Sequence, residues 1–275
     1  MLIEKNKKHI NFNLQRISNI LLINGGFLDI PGLYSGEMGL VLFFFYYADY
    51  TEDEAYWDYA FELLERVQDR IHKETSIDYK NGLAGIGSAI EFLVQEGFIE
   101  ADTDEILEDF DERIFSFENM THLLTIDELL GIGYYALRRM AGHSVRTDMI
   151  LKKVLPKLVS LSNEMCRNLD FEYRTILFIK DIIETENPDM LSDMSISFRP
   201  CRNCYPYGLE INIYNRYLEQ FSKNVYFEKN TLNLGLQNGL AGFGMALITE
   251  YEGDNSWISL FPKDLNYIKN ESLPL

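Results

Sequence analysis

Cysteine is scarce in this chain: Cys166, Cys201 and Cys204 are the only three in 275 residues. Three thiols cannot build a disulfide framework, so a packed core must hold the fold. Histidine is scarce as well. The four, His9, His72, His122 and His143, never stand next to a cysteine. Basic residues are the minority, 25 Lys and Arg against 43 Asp and Glu, which leaves a net charge of −18. That balance excludes a sequence-independent grip on nucleic acid or on an anionic membrane, and it suits a basic partner such as a Lys- or Arg-bearing peptide. Long apolar runs are missing. The run from Leu40 to Ala48 is far short of the roughly 20 residues that span a bilayer. The opening stretch Met1–His9 is charged, and the sequence to Leu22 is too mixed for a signal h-region, so a cytoplasmic protein is expected. No Pro-, Ser- or Gly-rich linker divides the chain, which reads as a single domain over 1–275. No P-loop, Gly-x-Ser-x-Gly or His-Glu-x-x-His motif occurs.

What the chain has instead is a glycine motif at a fixed interval. It reads Gly32-Leu33-Tyr34-Ser35-Gly36-Glu37-Met38-Gly39, then Asn81-Gly82-Leu83-Ala84-Gly85-Ile86-Gly87, then Leu130-Gly131-Ile132-Gly133. A fourth copy, Gln237-Asn238-Gly239-Leu240-Ala241-Gly242-Phe243-Gly244, follows much later. Gly36 to Gly82, Gly39 to Gly85 and Gly85 to Gly131 are each 46 positions apart. A period of that size signals an array of similar units. Gly36, Gly39, Gly82, Gly85, Gly131, Gly133, Gly239 and Gly242 are therefore the candidate positions at the mouth of whatever the units enclose. Glycine there permits positive φ at a turn and close backbone approach.

Each unit reads as a buried helix followed by an amphipathic one. Leu40 to Ala48 is apolar on all sides, as in a fully buried element. Thr51 and Glu54 fit a capping box, and Ala55, Tyr59, Leu63, Val67 and Ile71 then recur at four-residue spacing in a helix that ends near His72. In the second unit the apolar stretch is Ala84–Val94, and Thr103 or Asp104 starts a polar helix carrying Ile106, Leu107, Phe110, Ile114 and Phe115. In the third, Asp127–Ala141 precedes a helix from Thr147 to Leu161 that Pro156 interrupts or bends. The fold class is all-α.

Candidate chemistry is thin. Cys201-Arg202-Asn203-Cys204 has metal-ligand spacing, but a structural zinc needs four ligands and a catalytic one three. Cys166 and a histidine would have to complete the set, and two ordinary thiols in a loop are the plain alternative. Glu37, Asp127 and Glu128 stand beside the glycine motifs. They could supply an opposed acid/base pair, or simply favour helix N-termini.

The motif Gly-Leu-x-x-Gly-x-x-Gly at this interval, each copy entering a buried helix, resembles the lanthionine synthetase C family. The resemblance implies a double-layered α/α toroid with parallel inner helices whose N-termini share one end. It also implies a zinc held there by two cysteines and a histidine, which activates a peptide thiol for addition to a dehydrated serine or threonine. This chain lacks the family's Cys-His-Gly. Gln237-Asn238-Gly239 stands either at that phase or in the last, metal-free repeat. The expectation is a zinc-less member that binds a peptide or a peptide-modifying partner protein, with no cofactor. The alternatives are a zinc-dependent cyclase rearranged around Cys201 and Cys204, or a carbohydrate-active α/α barrel. Whether the toroid closes is open, because the pattern is weak from Leu169 to Phe198.

Overall fold

The computed structural model describes residues 2–117, 124–158, 161, 233–237 and 239–261. Every regular element among them is helical. The helices are α1 (Leu2–Asn24), α2 (Glu37–Thr51), α3 (Glu54–Asp69), α4 (Leu83–Gln95), α5 (Thr103–Ile106), α6 (Glu108–Phe115), α7 (Ile126–Ala141), α8 (Thr147–Met149) and α9 (Leu240–Glu252). They form two layers. The inner layer contains α2, α4, α7 and α9, and the outer layer contains α1, α3, α5, α6 and α8 with its continuation.

The inner helices are the apolar ones, as the sequence predicts. Residues 37–48 of α2 are buried without a break. In α4 the buried run covers Leu83–Leu93. Outer helix α3 buries one stripe, Ala60, Leu63 and Val67. It lays Tyr56, Tyr59, Trp57 and Phe61 against Phe44 and Phe45 of α2. These are mostly edge-on aromatic contacts, a favoured geometry for such rings.

Several boundaries differ from the sequence expectation, each for a local reason. Thr51 does not cap α3. It closes α2, its hydroxyl bonding the carbonyl of Tyr47 at 2.8 Å, and Glu52 then turns left-handed at φ 53°. Asp53 caps α3 instead, accepting from the N–H of Ala55 at 3.0 Å. The helix stops at Asp69, so His72 lies beyond its end. The second polar helix starts after Asp102, which caps it through the N–H of Asp104, and it breaks at Leu107 into α5 and α6. Before Pro156 the backbone widens into a π turn over Ile150–Val154, then stays helical over 155–158. A proline lacks the N–H of a regular turn and clashes with the preceding carbonyl, and a π turn accommodates it.

The sequence reading also passed over α1. Its buried residues Leu14, Ile17 and Leu21 carry the 3–4 spacing of a helical stripe. Helix α1 packs on both α9 and α2, so it covers the seam between the last and the first motif helices.

Candidate functional site at the inner-helix mouth

The glycine motifs converge at one end of the inner helices, and the loops before them share one backbone plan. The first helical N–H reaches seven residues back in three copies: Glu37 to the Ile30 carbonyl at 2.9 Å, Leu83 to Ser76 at 2.8 Å, and Leu240 to Asn233 at 3.0 Å. Each loop thus folds onto its own helix start. Gly36, Gly82 and Gly239 are the N-caps, with φ of −116°, −106° and −127°. These are extended values open to any residue. Positive φ, expected from the sequence, is not the reason for glycine there. Close approach is: a Cβ at Gly36 would run into the Ile30 carbonyl, and one at Gly82 into that of Ser76.

One turn later the same constraint recurs. A Cβ at Gly85 or Gly242 would strike the carbonyl six residues upstream, Tyr79 or Leu236, and one at Gly39 would lie 2.8 Å from the Leu33 carbonyl. Gly131 sits against the second loop, where a Cβ would be 2.9 Å from the Tyr79 nitrogen. Gly133 is buried in α7. The third copy departs from the plan, because Glu128 stands where the cap glycine would fall. There α7 starts early, at Ile126, with a capping box between Thr125 and Glu128.

Equivalent residues of neighbouring loops are hydrogen-bonded to one another. The Gln237 N–H donates to the Tyr34 carbonyl at 2.9 Å, and the Tyr34 N–H donates to the Lys80 carbonyl at 2.8 Å. This ladder sets the order α9, α2, α4 around the mouth, with α7 next. The last motif therefore lies beside the first, as neighbours in a ring do. The third glycine of a motif takes an aromatic ring from the adjacent inner helix. Gly244 faces Phe43 across that seam, and Gly87 faces Tyr135, where a Cβ would lie 2.7 Å from the ring.

The mouth is self-capped. Its parallel dipoles favour negative charge, yet the first-turn donors of α2 and α9 are already taken by Ile30 and Pro31, and by Asn233, Leu234 and Gly235. The groups left to meet a ligand are side chains on the rim: Lys80, Asn81 and Asn233 are exposed, and Ser35, Asp78 and Gln237 are half-buried.

The carboxylates beside the motifs point elsewhere. Glu37 is fully buried and turned toward α3, with Arg66 Nη2 at 2.5 Å and Arg70 Nη1 at 2.8 Å. Burial pushes its carboxyl above the ordinary range while the two arginines pull it back. Glu128 is committed to Thr125, accepting from its N–H at 2.8 Å. Neither is one half of an opposed acid pair, and the side chain of Asp127 lies outside the described residues.

A second ionic centre escaped the sequence reading. Arg139 of α7 is fully buried between layers, with Glu91 at 2.6 Å, Asp104 at 2.5 Å and Asp111 at 2.9 Å. Tyr135 donates to Asp111 at 2.7 Å, and Arg146 closes on the same carboxylate at 3.1 Å. Its signal in the sequence was Glu91, a lone acid inside an otherwise apolar helix. The cluster ties inner to outer helices and touches no open surface.

Zinc, which the motif family implies, does not fit the described mouth. The residues before the cap glycines are Ser35, Asn81 and Asn238, none of them a cysteine or histidine. No group of three His, Cys, Asp or Glu among the described residues is arranged to hold a metal. Cys166, Cys201, Cys204, His122, Asn238 and the side chain of His9 lie outside the described residues. His143 sits at φ 59° just after α7, away from the motifs. Among the described residues no helix is long and apolar enough to cross a membrane.

No curated protein matches the chain. The family model described as lanthionine synthetase C-like protein matches residues 30–174, which contain the first three motifs and both layers around α2, α4 and α7. With that match over more than half of its length, and with stacked glycine loops opening parallel inner helices, the chain belongs to the lanthionine synthetase C-like family, whose fold is the α/α toroid.

Proposed function

We propose that this chain is a zinc-less member of its family that binds a peptide, or the enzyme that presents one, during modification of ribosomally made peptides. One observation carries the reading. The mouth is built on the family plan, while Ser35, Asn81 and Asn238 stand in front of its cap glycines. Amide and hydroxyl side chains bond peptide backbone well but neither bind nor activate a thiolate. The position of α9 beside α2 supports assigning its motif to the closing, metal-free repeat. The acidic balance of the chain favours a basic peptide region.

Two measurements on purified full-length protein test this. Metal analysis should return far less than one zinc per chain. A dehydrated, cysteine-containing peptide should bind, yet keep its thiol open to an alkylating reagent, because ring closure would consume it. Stoichiometric zinc together with thiol loss, both abolished by Cys201→Ala/Cys204→Ala, would establish the rearranged cyclase instead.

A further inference from the structure

After α9 the chain turns at Gly253 (φ 86°) and re-enters the molecule as a short 3-10 segment, Ser256–Leu260, followed by Phe261. This segment contacts all four inner helices or their side chains. Ser256 Oγ is 2.6 Å from the Tyr46 hydroxyl of α2. The Trp257 indole N–H donates to Thr249 Oγ1 of α9 at 2.8 Å. Arg138 of α7 donates to both the carbonyl and the hydroxyl of Ser259, each at 2.9 Å, and the segment packs on α4.

Tyr46, Thr249 and Arg138 lie near the C-terminal ends of their helices. Phe261, by contrast, stacks on Tyr34 in the first motif loop, with ring centroids 5.1 Å apart and planes 9° apart. The segment therefore runs along the inner helices from their C-terminal ends to the mouth. On α2 it meets Tyr46, about 150° around the helix from Phe44 and Phe45, which face the outer layer. It lies on the inward side, where Trp257, Leu260 and Phe261 are buried at 1%, 0% and 6% exposure.

Its attachment differs from that of every other buried segment. Among the described residues, no backbone-to-backbone hydrogen bond joins Ser256–Leu260 to another element; Ile258 N bonds Asn255 O, and Ser256 N bonds the Asp254 side chain. The inner helices keep their own backbone pairing if it leaves. What its departure exposes is apolar surface and three polar side chains, which need an occupant of similar chemistry.

We propose that Asn255–Phe261 is an internal strap that holds the track of an incoming peptide, a peptide with two aromatic residues four apart, and that it swings out about Gly253 to admit one. The proposal deepens the peptide-binding reading and rests on it. The strap shows what the track selects: an aromatic ring stacked on Tyr34, a second one edge-on to it (Trp257 and Phe261, 5.6 Å and 80°), and a carbonyl within reach of Arg138. Contacts made only by side chains allow such exchange by local opening, without global unfolding.

The test uses the full chain and a fluorescent peptide copying Asp254–Phe261. In the wild-type protein, amides of 256–260 should exchange at least tenfold faster than those at the centre of α9. Exchange as slow as that of α9 would show permanent core and overturn the strap, and this readout needs no variant. The copy peptide should bind the variant Trp257→Ala/Phe261→Ala at least tenfold more tightly than wild type, and a copy with both aromatics replaced by Ala should not bind. No binding to a variant whose α2 and α4 amides stay protected would overturn the proposal. The probe is the chain's own sequence, so these failures leave the binding of external peptides at the rim as a separate question.

Discussion

At the residue scale the buried charges decide more than their number suggests. Arg139 is held by three carboxylates with no exposure of its own. A buried pair adds little net stability over apolar packing, yet removing one partner strands the others. Asp104 offers the cleanest handle, being partly exposed. Burial works against its charge, but the Ser144 hydroxyl, the Val145 N–H and Arg139 outweigh that and hold its carboxyl below the ordinary 3.8. A depressed folded pKa means stability that is complete above the unfolded value and is lost as pH falls through the folded one. Urea denaturation between pH 2 and pH 6 should therefore show Asp104→Asn less stable than wild type at pH 6, with the gap closing below pH 4. A gap independent of pH would contradict this assignment.

At the scale of elements, two different solutions start the inner helices. Helices α2, α4 and α9 start from a cap glycine pressed against a carbonyl of its own loop, and α7 starts from the Thr125–Glu128 capping box. The two should respond oppositely to alanine. Thr125→Ala loses a side-chain cap, at about 1 kcal/mol. Gly85→Ala drives a methyl into the Tyr79 carbonyl and should cost more, about 2 kcal/mol or above, since the clash is with backbone. Thermal melts of the two variants check the order, and equal shifts would remove the steric account of the motif. The period of 46 was legible because this clash admits only glycine. The break at Leu107 and the cap by Asp53 were not, since Thr51, Asp53, Thr103 and Asp104 are all acceptable caps and tertiary contacts choose among them.

At the scale of the whole molecule, the seam between α9 and α2 joins residues about two hundred positions apart. Gly244 lies against Phe43 there, beside the Gln237–Tyr34 hydrogen bond. Gly244→Val should raise hydrogen exchange in α9 and α2 together while leaving the α4–α7 contact protected. Rates raised in α9 alone would mean that the two helices do not share one stability unit.

The sequence by itself determined the repeat, the buried character of the inner helices, the all-α class, the family and the missing Cys-His-Gly. Each of these follows from local sterics, hydrophobic period or residue identity. The tertiary structure alone decided that the last motif neighbours the first, that loop carbonyls consume the helix-end donors of the mouth, that Glu37 and Glu128 are committed to partners, and that Ser256–Phe261 lies along the inner helices. All four depend on which residues distant in sequence meet. A segment such as Ser-Trp-Ile-Ser-Leu-Phe carries no local signal of the surface that will bury it.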